Sequence, residues 1–193
     1  TWVKRVFDVV LSSILLLLAL PVMLLAAVAI FMESGTPIFI FQERVGRGGR
    51  PFLCVKFRSM NANAEGDGVA RWASANDARV TRVGRLLRKL RVDELPQLFN
   101  VLSGEMSLVG PRPERPPFVA GLKNQIRFYD IRHSIKPGVT GWAQIRYPYG
   151  SSVEDAQRKL QYDLYYVKNH SLSLDVLIIM ETVRVVLFGE GAQ

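Results

Sequence analysis

The amino-acid sequence predicts an α+β protein, mostly helical, with an N-terminal membrane helix. Three observations carry this. The run Val9 to Met32 holds about two dozen residues without a charge, enough to cross a bilayer at roughly 20 residues per crossing. Two short runs rich in β-branched and aromatic residues flank Arg47-Gly48-Gly49-Arg50-Pro51 and read as a small β-hairpin. Beyond Val80, apolar residues recur at helical spacing in one segment after another. The expected division is a membrane helix over 1–33 and a single further domain over 34–193, since 193 residues at 49% hydrophobic composition can bury one good core.

Within the apolar run, Pro21 removes a backbone donor and frees the carbonyl of Leu17, which kinks a helix. Lys4 and Arg5 precede the run, while Arg44, Arg47, Arg50, Lys56 and Arg58 follow it. By the positive-inside rule both flanks prefer the cytoplasm. A re-entrant helix that bends at Pro21 and returns to the same leaflet satisfies both; an ordinary straight span, the alternative, puts Lys4 and Arg5 outside. No small-residue cleavage site follows the run before Glu33, so a signal peptide is not expected. The first residue is Thr1 rather than Met, and the sequence is expected to be a piece of a longer protein.

Pro37 to Gln42 and Phe52 to Arg58 are the two strands of the hairpin. Alternation puts Lys56 and Arg58 on one face with Phe57 opposite. That face either grips a phosphate or is simply solvated. Asn61 to Asp77, with Gly66 and Gly68, reads as a mobile loop in which Trp72 packs down onto the domain. A helix from Thr81 to Val92 follows, with Val83, Leu86, Leu87 and Leu90 on one side and basic residues around the rest. It lies either in water or on anionic lipid. Pro96 is expected to move Leu95 out of the helical region and to open the next helix, to Leu102, so that Asp93 and Glu94 sit at a helix junction.

Ser103-Gly104 stops that helix, and Met106 to Val109 leads into Gly110-Pro111-Arg112-Pro113-Glu114. The prolines leave this loop little freedom and hold Arg112 in one direction. A core-packing helix is expected from Pro116 or Pro117 to about Arg132, with His133 at the surface or in a cap. Pro137 to Trp142 reads as a turn and a short extended piece. Ser152 then caps a helix to Val167, with Glu154 and Asp155 in its first turn. Leu174 to Phe188 is apolar but short and carries Glu181 and Arg184, so it lies in the interface or packs on the domain rather than spanning.

The net charge of +8 calls for an anionic partner: nucleic acid, lipid head groups or phosphorylated small molecules. Cys54 is alone, which excludes a disulfide framework within the chain and suits a reducing, cytosol-facing location. Chemistry concentrates at Asp93-Glu94, which Arg79, Arg82, Arg85, Arg88, Lys89 and Arg91 precede. These cations favour ionised carboxylates and can hold a phosphorylated ligand beside them. Taken alone, the pair also suits mere helix capping. His133 has no neighbour in sequence that completes a nucleophile pair.

Four blocks in order, Lys4-Arg5-Val6-Phe7-Asp8, Lys56-Phe57-Arg58-Ser59-Met60, Asp93-Glu94-Leu95-Pro96-Gln97 with Asn100-Val101-Leu102, and Met106 through Glu114, resemble the bacterial sugar transferases that act on polyprenyl phosphate, the monotopic phosphoglycosyl transferases. Lys136 to Trp142 and Tyr162 to Tyr166 are similar to the longer members, in which a catalytic domain ends the chain. The resemblance implies transfer of a sugar 1-phosphate from a UDP-sugar to undecaprenyl phosphate, with release of UMP, at the start of exopolysaccharide or O-antigen type assembly. It implies Asp93 as a nucleophile that forms a phosphosugar-aspartyl intermediate. Glu94 would help hold Mg²⁺ with Asp93 or orient the dyad. Lys56, Arg58, Arg88 and Arg112 are the cations expected on the phosphates. The implied setting is the bacterial inner membrane, with amphipathic interfacial helices around a cytoplasm-facing site; nucleic acid is not an expected partner, and a homodimer is left open. One departure stands out: Leu20 occupies the position before the mid-helix proline where many relatives carry Ser, whose hydroxyl would help satisfy the freed carbonyls. Two other functions compete. A membrane-anchored basic module binding anionic lipid or nucleic acid leaves the dyad and the Pro-Arg-Pro loop unexplained, and a phosphohydrolase would use the same dyad with water as acceptor.

Overall fold

The computed structural model describes residues 2–61, 64, 77–147, 150 and 152–188. Helix α1 runs Trp2–Ser34 and stays helical through Pro21. At 1.5 Å per residue, its 33 residues extend about 50 Å, well beyond the roughly 30 Å of a hydrocarbon core. Most of its surface is bare leucine and valine, Leu17, Leu18 and Leu25 above all. One stripe is buried: Asp8, Ser12, Leu16, Met23, Ala26 and Ile30, the spacing of a single helix face.

Both ends of α1 are tied to the same body of protein. Near its start, Lys4 Nζ pairs with Asp175 at 2.5 Å, Arg5 donates to the carbonyls of Val101 and Leu102, and Asp8 accepts from Ser107 Oγ and the Leu108 N–H. At its end, Glu33 accepts from the Arg82 and Val83 N–H groups, and Arg58 donates to the Ser34 and Gly35 carbonyls. A carboxylate is well matched to the unpaired N–H groups opening α2 (Arg82–Lys89), and a guanidinium to the last carbonyls of α1.

The hairpin is formed by β1 (Phe39–Val45) and β2 (Pro51–Phe57), antiparallel, with Phe39 opposite Phe57 and Val45 opposite Pro51. Its turn uses Gly48 and Gly49 at positive φ, which glycine adopts without Cβ strain. Helix α3 (Gln97–Ser103) ends on Gly104 at φ 91, the expected stop. Beyond it, β3 (Ser107–Val109) pairs in parallel with β4 (Gly138–Thr140). Sequence alone marks Met106 to Val109 only as the lead into the Pro-Arg-Pro loop and Pro137 to Trp142 as a turn with a short extended piece, with nothing to join the two. Helix α4 (Pro116–Gln125) is shorter than expected: Phe128 turns left-handed and residues Tyr129–Ser134 coil into a 3₁₀ segment that buries His133 instead of exposing it. Then come α5 (Trp142–Arg146), α6 (Val153–Asn169) and α7 (Leu172–Phe188). Ser152 and Asp155 form a reciprocal capping box at the start of α6. The expected loop over Asn61 to Asp77, with Trp72, falls almost wholly outside the described residues.

One apolar core joins Leu16, Met23 and Ile30 of α1 to Phe52 and Phe57 of β2, Val101 of α3, Val109 of β3, Tyr166 of α6 and Ile178 of α7. A smaller cluster joins Val45, Val119, Leu122, Ile126, Tyr129 and Leu160. The dyad lies on the seam where α2, α3 and β2 meet.

Candidate active site

Three pieces of backbone converge on the dyad. After α2, Arg91 adopts a left-handed conformation at φ 57, and Val92–Glu94 form one 3₁₀ turn. Leu95 follows at φ −54, ψ −37, so it is helical despite the proline after it. The Leu95 N–H closes the 3₁₀ turn on the Val92 carbonyl, and that local hydrogen bond outweighs the proline bias. Asn100 then ties α3 to β2: its amide donates to the Leu53 carbonyl and its oxygen accepts from the Val55 N–H. This link sets Lys56 beside the dyad.

Glu94 is 7% exposed and is gripped by cations. Lys56 Nζ lies 2.9 Å from Oε1, Arg112 reaches Oε1 at 2.6 Å and Oε2 at 3.3 Å, and Arg91 stands 3.6 Å from Oε2. Burial opposes its ionisation, but the charges of Arg112 and Lys56 outweigh that and hold its pKa well below the usual carboxylate range. Asp93 is the opposite case. It is 8% exposed and accepts no hydrogen bond among the described residues. Burial first, and then the charge of Glu94, push its pKa up, while Lys56, Arg88 and Arg112 pull it down. A poorly solvated carboxylate without partners is a good nucleophile once ionised.

Of the residues singled out from sequence, Asp93, Glu94, Lys56 and Arg112 are brought together. Arg88 stays close enough to favour the Asp93 charge, with Nε donating to Ser59 Oγ at 2.9 Å. Arg58 goes elsewhere. It follows the last residue of β2, is 4% exposed and caps α1, so it does not share a phosphate-gripping face with Lys56.

Sequence reading missed the residues that fix the Pro-Arg-Pro loop. Arg132 donates to the Arg112 carbonyl at 2.8 Å and pairs with Asp163 at 2.8 Å, both side chains being buried. Arg44 donates to the Pro113 carbonyl at 3.0 Å. Nothing local in the sequence marks Arg132 and Asp163 as partners across 31 positions.

A divalent cation such as Mg²⁺ takes one or two carboxylates plus phosphate oxygens and water. Asp93 fits that role with a phosphorylated substrate present, because its oxygens carry no hydrogen bond among the described residues. Glu94 would have to exchange a cation to join it.

The model of the Bacterial sugar transferase family matches residues 1–189. The chain belongs to this family. It is 49% identical over 192 residues to a UDP-N-acetylgalactosamine-undecaprenyl-phosphate N-acetylgalactosaminephosphotransferase of Aeromonas hydrophila, covering 100% of this chain and 45% of the relative. An undecaprenyl-phosphate glucose phosphotransferase of Komagataeibacter xylinus is 45% identical over 194 residues, covering 98% of this chain and 36% of the relative. A UDP-glucose:undecaprenyl-phosphate glucose-1-phosphate transferase of Caulobacter vibrioides is 44% identical over 191 residues, covering 98% of this chain and 71% of the relative. The chain thus spans less than half the length of the first two.

Proposed function

We propose that this chain is the catalytic part of a phosphoglycosyl transferase that moves a sugar 1-phosphate from a UDP-sugar to undecaprenyl phosphate and releases UMP. The observation that carries the reading is the asymmetry of the dyad: Glu94 is saturated by Lys56, Arg112 and Arg91, and Asp93 beside it has no hydrogen-bond partner among the described residues.

In the first step an Asp93 carboxylate oxygen attacks the sugar-bearing phosphorus. A new P–O bond forms, the diphosphate P–O bond breaks, and its electron pair leaves with UMP. In the second step a phosphate oxygen of undecaprenyl phosphate attacks the same phosphorus. The Asp93–phosphorus bond breaks, the carboxylate is restored, and a sugar diphosphate lipid results. One phosphoanhydride is exchanged for another, so no further energy source is required. Lys56, Arg112 and Arg88 neutralise the charge that develops on the phosphate oxygens, and Glu94 orients the first two. Mg²⁺ held at Asp93 by carboxylate and substrate phosphates would add to that neutralisation.

Incubation with a suitable UDP-sugar and Mg²⁺ without lipid is expected to leave a sugar-phosphate adduct on Asp93, detected by intact mass. Asp93→Asn should lose the adduct and at least about 10⁴-fold in turnover. Persistent turnover in that variant would overturn the nucleophile assignment.

The same reading has α1 enter and leave the membrane on the cytoplasmic side, bent at Pro21. It is supported by the ion pairs and hydrogen bonds that tie Lys4, Arg5 and Asp8, and also Glu33 and Ser34, to one domain. A straight span would carry one of these two groups across the bilayer. A cysteine placed near Thr1 should therefore be labelled only from the cytoplasm; labelling from the periplasm sinks the re-entrant form.

A further inference from the structure

A second basic site lies at the turn of the hairpin, at the other end of β2 from Lys56. Pro51 and Lys56 are five strand residues apart, about 16 Å, so this site is separate from the dyad. An open cleft of about 500 Å³ is lined by Arg47, Arg50, Phe52, Gly104, Glu105 and Lys136. Three cations face one acid, and that acid already accepts from Asn100 and Ser103. Arg47, Arg50 and Lys136 form no side-chain hydrogen bond or ion pair among the described residues.

Arg5 joins them at the rim. A side chain added at Gly104 would meet the Arg5 guanidinium at 3.5 Å and Lys136 Nζ at 3.6 Å. Burial, then the charge of Arg5, lower the pKa of Lys136 against the pull of Asp8, with Arg47 and Lys4 adding to the lowering. An anion in the cleft would relieve this crowding. Arg5 also fixes the location, because it lies in the first turn of α1, four residues before the uncharged run that begins at Val9. The cleft therefore opens where that helix meets the head groups, given the membrane placement of α1 proposed above.

We propose that this cleft binds the head-group phosphate of an anionic phospholipid, at a site distinct from the one where a lipid phosphate accepts the sugar. Such a contact would hold the hairpin turn, and with it β2 and Lys56, at a fixed height on the membrane. A free phosphate offers the same chemistry, but it is not concentrated beside α1 as lipid is.

The test uses the purified chain in neutral detergent micelles, with lipid retention read by native mass spectrometry. Phosphatidylglycerol should be retained in preference to phosphatidylcholine, and inorganic phosphate should not displace it. The double variant Arg50→Gln, Lys136→Gln should weaken phosphatidylglycerol binding about 30-fold, at roughly fivefold for each charge removed, with retention of phosphatidylcholine unchanged. Arg47→Gln, at an exposed turn position, should weaken it about fivefold and guards against a folding defect in the pair. Equal retention of the two lipids, or undiminished phosphatidylglycerol binding in both variants, overturns the proposal. Displacement by inorganic phosphate overturns the assignment to lipid. Because retention is read without UMP release, a failure of sugar transfer leaves this result interpretable.

Discussion

Two buried charge clusters stand next to one another in this protein and are built on opposite principles. Arg132 and Asp163 form a balanced pair: Arg132 spends its donors on Asp163, Tyr129 and the Arg112 carbonyl, and no charge is left over. The dyad is unbalanced. Three cations converge on Glu94 alone, Arg88 approaches Asp93 without bonding to it, and Asp93 itself is left without a hydrogen bond among the described residues. A balanced cluster suits a structural role, whereas a surplus of cations beside Asp93 suits the phosphorylated substrate of the proposed function.

The same kind of substitution should therefore do opposite things in the two places. Asp163→Asn leaves Arg132 buried and only partly compensated, which should cost about 3–5 kcal/mol and appear as a clear fall in Tm. Asp93→Asn removes a charge that the fold solvates poorly, and Tm should hold or rise slightly while transfer is lost. If Asp93→Asn lowered Tm as far as Asp163→Asn does, the dyad would be a structural cluster and the comparison would fail.

Arg112 belongs to both clusters, since its guanidinium holds Glu94 and its carbonyl is held by Arg132. Arg112→Gln keeps the backbone contact and loses the charge. UMP release should fall about 10²–10³-fold, with a much smaller change in Tm because the side chain is only partly buried. Arg112→Lys should recover little of that loss, as an ammonium cannot hold both Glu94 oxygens in the same fork. Full activity in Arg112→Lys would show that charge alone suffices there.

Much of this was legible in the sequence wherever the signal was local. The apolar stretch of α1, the hairpin with its two left-handed glycines, the Gly104 stop and the Ser152–Asp155 cap all follow from residues close together in the chain. The dyad at a helix junction was readable for the same reason. What failed was long-range. Three residues of β3 pair with three of β4 about thirty positions away, and so short a run carries no periodicity of its own. Strand alternation put Arg58 with Lys56, but β2 ends at Phe57 and the carbonyls closing α1 claim Arg58 instead. His133 reads as a surface residue because the 3₁₀ segment that buries it exists only once α4 has stopped at Gln125 and Phe128 has turned left-handed. The loop anchors Arg132 and Arg44 were hidden because their partners are backbone carbonyls, which leave no mark in a sequence.

The smallest effect sharpens the contrast within the dyad itself. Burial and the neighbouring Glu94 charge raise the Asp93 pKa above its ordinary value near about 3.9. In the proposed mechanism attack requires the ionised form, so kcat/KM for the UDP-sugar should fall on the acid side with a midpoint above that ordinary value. Stability has the opposite sign. Below the unfolded-state pKa, Asp93 is protonated in both states and costs nothing; as pH rises toward the raised native value, the unfolded chain ionises first and gains free energy over the fold. The loss reaches about 1.4 kcal/mol for every tenfold by which the fold weakens the acid. Asp93→Asn cannot ionise. Its Tm advantage over the wild type should therefore widen from about pH 4 upward and level off above the native pKa of Asp93. Arg112→Gln removes one of the charges pulling that pKa down, and both the acid limb and the point of levelling should move to higher pH together. A Tm difference that stays flat over this range would mean that the Asp93 carboxylate is solvated as well in the fold as out of it, and the asymmetry between Asp93 and Glu94 would lose its energetic basis.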